Sequence, residues 1–61
     1  MAWIIRKNKY MLFASSTSAF AIEQFIHFTK DEPKSLISKA ILEHTRGRNS
    51  VRVNEYSLKW E

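Results

Sequence analysis

The chain has 61 residues, with ten lysines and arginines against six aspartates and glutamates, and no cysteine. A chain this short forms one domain, residues 1–61, and buries only about 60% of the surface its unfolded form exposes. That composition excludes a disulfide framework and a thiolate zinc site, so the fold must rest on an apolar core, assisted by a partner or a second copy.

From the amino end, "AWIIRKNKYMLFAS" reads as two short β-prone runs separated by Arg6-Lys7-Asn8-Lys9. Strands mostly run to about 5–6 residues, so this segment predicts a hairpin rather than one strand. Asn8 belongs near its tip, because asparagine tolerates left-handed backbone. The polar "SSTS" at 15–18 then breaks the chain. In "AFAIEQFIHF", Phe20, Ile22, Ile26 and Phe28 alternate, which predicts a third, half-buried strand with Phe25 on its other face. Residues 10–28 have the length of a membrane span, but Glu23, Gln24, His27 and four consecutive hydroxyl residues argue against one. The apolar start is cut short by the basic tetrad, so no signal peptide is expected, and the location expected is cytoplasmic.

"DEPKSLISKAILEHTRG" predicts a helix capped by Asp31, with Pro33 in its first turn and Gly47 as its stop. Leu36, Ile37, Ala40 and Ile41 form its apolar stripe, with Leu42 beside it. In "NSVRVNEYSLKW", Val51 and Val53 alternate on one parity and Tyr56, Leu58 and Trp60 on the other. This predicts a final strand with a bulge or bend near Asn54-Glu55. The expected fold is α+β: an antiparallel meander with one helix on one face, in the order β-β-β-α-β. The helix is expected to pack on Phe20, Ile22, Ile26 and Phe28.

No catalytic or metal-binding pattern is present. Ser15, Ser16, Thr17 and Ser18 read as a loop, and Asp31 and Glu32 as helix-start residues rather than an acid–base pair. His27 reads as facing the outer side of the sheet, and His44 as a helix-end cation. The two histidines are too far apart in sequence for a ligand motif, and no cofactor or small-molecule substrate is implied. The expectation is that the protein is not an enzyme.

The charge layout carries more. Residues 1–30 hold Arg6, Lys7, Lys9 and Lys30 against Glu23 alone, and a second group comprises Arg46, Arg48 and Arg52. Such a balance favours an anionic partner, either nucleic acid or an acidic protein surface. The candidate contacts are Arg6, Lys7, Lys9, Tyr10, Arg46, Arg48 and Arg52, with the two basic groups meeting in one surface. Trp3 and Trp60 are candidate aromatic anchors.

Two resemblances sharpen the expectation. "WIIRKNKYMLFA…FTKDEPKSLISKAILEH", over residues 3–45, resembles the arm-type DNA-binding domain of phage integrases. That likeness implies a three-stranded sheet entering the major groove, with Arg6, Lys7, Lys9 and Tyr10 at the matching positions. "KYMLFASSTSAFAIEQFIHF", the helix and "NSVRVNEY", over residues 9–56, resemble small phage proteins that block a host machine. These include the compact inhibitor of host RNA polymerase and several anti-CRISPR proteins. The leading expectation is therefore a small non-enzymatic binding protein, phage-encoded and acting in the host cytoplasm, that modulates a host macromolecular complex. Direct DNA binding through the sheet and the 6–9 turn is the alternative. A homodimer, paired through an exposed edge strand or Phe25, is a third.

Overall fold

Six elements follow one another in the computed structural model, which describes residues 1–61. They are β1 (Trp3–Lys7), β2 (Tyr10–Ser15), α1 (Ser18–Phe28), α2 (Lys34–Thr45), β3 (Ser50–Val53) and β4 (Tyr56–Trp60). The architecture is α+β, with four antiparallel strands and two helices. The sheet order is β2-β1-β4-β3, so the strands from the two ends of the chain pair at its centre. Ala2 and Glu61 exchange backbone hydrogen bonds of 2.7 and 2.9 Å and extend that central pairing.

The first hairpin forms as its residues dictate. Lys7 pairs with Tyr10 across a two-residue turn, and Asn8 has φ 55°. Asparagine adopts that left-handed conformation at little cost, whereas most residues with a Cβ lose about 1–2 kcal/mol there. The second hairpin repeats the device: Val53 pairs with Tyr56, and Asn54 has φ 52°. The expected bulge or bend at Asn54-Glu55 is thus a full turn, and the expected single last strand is two. The true bulge lies in the first hairpin. Ile5 pairs with Phe13 and Arg6 with Met11, which leaves Leu12 as the extra residue of β2.

The expected third strand is helix α1. Its apparent alternation has a gap at Gln24, and the same residues satisfy a helical period better. Ala21 and Phe25 are buried, with Ile22 and Phe28 half-buried around them, an i, i+1, i+4, i+7 stripe. Phe25 has no exposed surface, while Phe20 and Ile26 point outward, the reverse of the strand expectation. Thr29 closes this helix: its N–H and its hydroxyl both donate to the Phe25 carbonyl, at 3.0 and 2.8 Å, so a fully buried hydroxyl is satisfied.

Helix α2 starts after Pro33, two residues later than Asp31 capping implies, and ends as expected. Gly47, with φ 96°, donates to the His44 carbonyl and Arg48 donates to that of Glu43, closing the last turn in the Schellman pattern. Ile37 and Ala40 face inward with Ile41 half-buried, whereas Leu36 and Leu42 remain exposed. Both helices lie on the same face of the sheet. The core between the layers consists of Ile5, Val51, Val53 and Leu58 from the strands and Ala21, Phe25, Ile37 and Ala40 from the helices. The single helix expected to pack on Phe20, Ile22, Ile26 and Phe28 is thus replaced by two helices, both packed on the strands.

Candidate functional site

Helices on one face leave the other face of the sheet uncovered. Ile5, Val51, Val53 and Leu58 mark the inward positions, so alternation places Ile4, Arg6, Ser50, Arg52, Ser57 and Lys59 on the open face. Pairing arranges them in rows across the strands. Arg6 lies opposite Ser57, which lies opposite Arg52; Ile4 lies opposite Lys59, which lies opposite Ser50. Adjacent strands are about 4.8 Å apart, so the backbones of Arg6 and Arg52 are about 10 Å apart with the Ser57 hydroxyl between them. Met11 pairs with Arg6 and Ala14 with Ile4, which gives the β2 side of this face an apolar border.

The electrostatics of the face are asymmetric. Arg6 forms a two-pronged ion pair with Glu61: Nη1 contacts Oε2, and Nη2 donates to Oε1 at 3.2 Å. Hydrogen bonding to Arg6 holds the Glu61 carboxyl below its ordinary value, with a smaller contribution from the charges of Arg6 and Lys59. The same bond raises the Arg6 guanidinium. This is the only ion pair in the chain, so Arg52 and Lys59 keep their charge uncompensated by direct contact. Two cations flanked by the Ser50 and Ser57 hydroxyls can donate hydrogen bonds to phosphate or carboxylate oxygens.

The other expected contacts are distributed over the molecule. Lys7 lies on the inward parity at the hairpin tip, with its ammonium 5.6 Å from the Tyr56 ring centroid. Lys9 and Tyr10 stand exposed at that tip. The neighbouring turn comes close, since the Asn8 N–H donates to the Glu55 carbonyl at 2.7 Å. Beside it, Asn54 Nδ2 donates to Glu32 Oε1 at 2.6 Å. Lys7, Glu32, Asn54, Glu55 and Tyr56 enclose a shallow cavity of about 480 Å³. Carboxylates therefore stand among the cations at the tip.

Arg46 and Arg48 are exposed in the α2–β3 connection, at the opposite end of the sheet from the 8–9 turn. The fold thus brings Arg6 and Arg52 into one row and leaves Lys7, Lys9, Arg46 and Arg48 outside it. Trp3 and Trp60 lie opposite each other on β1 and β4, ring centroids 5.4 Å apart, both half-buried on the helix-covered side. Lys59, Ser50 and Ser57 were not among the expected contacts. The alternation of Tyr56, Leu58 and Trp60 as an inward set was the signal that placed Ser57 and Lys59 together outside.

One pairing of a hydroxyl with a base occurs. Ser18 Oγ lies 2.7 Å from His44 Nε2, and the Trp3 ring meets the imidazole edge-on at 4.7 Å. Burial holds the His44 pKa below its ordinary value, and Nδ1 is buried without a partner. A histidine that activates a serine needs an acceptor on its far nitrogen to hold the productive tautomer. With none at Nδ1, the proton is better placed on Nε2, donated to Ser18. The contact joins the start of α1 to the end of α2. His27, expected on a sheet face, is exposed on α1.

No helix is long and apolar enough to cross a membrane. Comparison with protein-family models, with curated proteins and with solved structures finds no match.

Proposed function

We propose that this chain is a small non-enzymatic binding protein that attaches through its open sheet face to an anionic surface of a larger macromolecular complex. The observation that carries the reading is the one-sided layering, which leaves Arg52 and Lys59 outside any ion pair on an uncovered surface beside Ile4. An uncovered sheet face gives room for a macromolecule, and a mixture of cationic and apolar side chains suits a protein contact with an acidic rim. The resemblance of the sequence pattern to small phage proteins supports placing that complex in a host cell's cytoplasm. The protein then works by occupation: a rigid face covers a working surface of its target.

The experiment is affinity capture from a bacterial lysate, with and without nuclease, using the chain and its Arg52→Glu/Lys59→Glu variant. The reading expects a captured protein that survives nuclease and is lost with the variant. Capture that the variant leaves intact contradicts it. Direct DNA binding is the second reading, favoured by the two unpaired cations set diagonally across β3 and β4 with the Ser50 and Ser57 hydroxyls on the other diagonal. It expects loss of the captured complex on nuclease treatment, and duplex binding that weakens steeply with salt.

A further inference from the structure

The two edges of the sheet differ in a way that the anionic contact leaves unused. The β3 edge carries Arg52 in a four-residue strand and follows Arg46 and Arg48. The β2 edge, "YMLFAS", holds no charge and no proline, and charge is absent from residue 10 through residue 22. Eight large apolar side chains are exposed in the whole chain, and four of them border this edge: Tyr10 (69%), Met11 (61%), Leu12 (38%) and Phe20 (50%). Phe20 belongs to α1, and its ring meets that of Phe13 at 5.5 Å, so apolar surface continues from the open face over the edge to the helix side. A strand edge-on to solvent with unpaired backbone groups, blunted by one bulge but by no charge or proline, is a template for another strand.

We propose that the β2 edge pairs with the β2 edge of a second copy, antiparallel about a two-fold axis, to give an eight-stranded sheet. The second copy is the occupant because β2 is self-complementary: it offers its own copy no charge to repel, and its two faces match when it is paired antiparallel with itself. In an isologous contact residue i meets residue j and j meets i, and a chain of net charge +4 repels its copy wherever cations lie near the axis. The Arg52 edge would bring cations together across the axis, whereas the β2 edge brings none. With the axis between Leu12 and Phe13, Tyr10 faces Ser15 and Met11 faces Ala14 of the partner, each pair on matching parity. The bulge at Leu12 falls beside the axis, where the two apolar borders merge. The two cationic halves then point away from each other on one continuous open face. This pairing is independent of what that face binds.

The test is sedimentation equilibrium from roughly 1 µM to 1 mM, the range of weak interfaces. The expected result is a mass rising from 7.2 kDa toward twice that value. Met11→Lys should hold the mass at the monomer value throughout, with an unchanged circular dichroism spectrum, because this side chain is mostly solvent-exposed. Arg52→Glu, on the other edge, should not weaken self-association. Should Met11→Lys perturb the fold, amide exchange in residues 10–15 of the unaltered chain replaces it, with slowing at high concentration expected. A monomer at every concentration overturns the proposal, and so does a dimer that Met11→Lys in its native fold leaves intact, or amide exchange in residues 10–15 that does not slow at high concentration.

Discussion

His44 shows how one side chain can set a pH dependence. It sits among Trp3, Ser18 and the end of α2, and burial lowers its pKa while Nδ1 has no partner. Folding therefore favours the neutral ring, and the unfolded chain binds the proton more readily. Stability from this site is complete above the ordinary histidine value of about 6.5 and is lost as pH falls below it. The melting temperature should decline between pH 7 and about 5, and His44→Gln should flatten that decline. A melting temperature that rises over this interval would contradict the assignment. Glu61 acts in the same direction at lower pH. Its carboxyl is held down by Arg6, so its contribution is present above the ordinary carboxylate value and is lost as pH falls through the lowered one.

At the scale of elements, α1 decides the fold, because a strand at 18–28 would expose Phe25 where the helix buries it. Phe25→Ala should cost about 3–5 kcal/mol, enough to unfold much of so small a domain, while Phe20→Ala should cost far less. Chemical denaturation of both variants checks this, and a larger cost for Phe20→Ala would favour a strand. Features governed by neighbouring residues were legible: the Asn8 turn and the Gly47 stop each rest on one residue with a positive φ. The α1 segment was not, because in ten residues Phe20, Ile22, Ile26 and Phe28 fit a period of two, while Ala21, Phe25 and Phe28 fit a helix. Asn54 precedes Glu55-Tyr56 much as Asn8 precedes Lys9-Tyr10, yet a parity change there reads equally as a bulge. The site was legible by residue type only. Whether Arg52 lies beside Arg6 or Arg48 depends on strand order, which pairs the two ends of the chain and leaves no local trace.

At the scale of the molecule, one layer of helices over one face of a four-stranded sheet divides the surface by role. The hairpin tip mixes Lys7 and Lys9 with Glu32 and Glu55, so its local charges offset one another. The open face sets Arg6, Arg52 and Lys59 against Glu61 alone. The β2 edge is uncharged. The two proposals use this division: an anionic partner at the open face, and a second copy at the edge.

Everything proposed for the open sheet face depends on an anionic partner meeting it there, and not at Lys7, Asn8 and Lys9 of the hairpin tip. Amide chemical-shift mapping during titration with two polyanions, a short DNA duplex and poly-L-glutamate, tests it most directly. Perturbations should concentrate at Ser50, Arg52, Ser57 and Lys59, be reversed by salt and be abolished by Arg52→Glu/Lys59→Glu. Perturbations confined to Lys7, Asn8 and Lys9, or none with either polyanion at low salt, would contradict it.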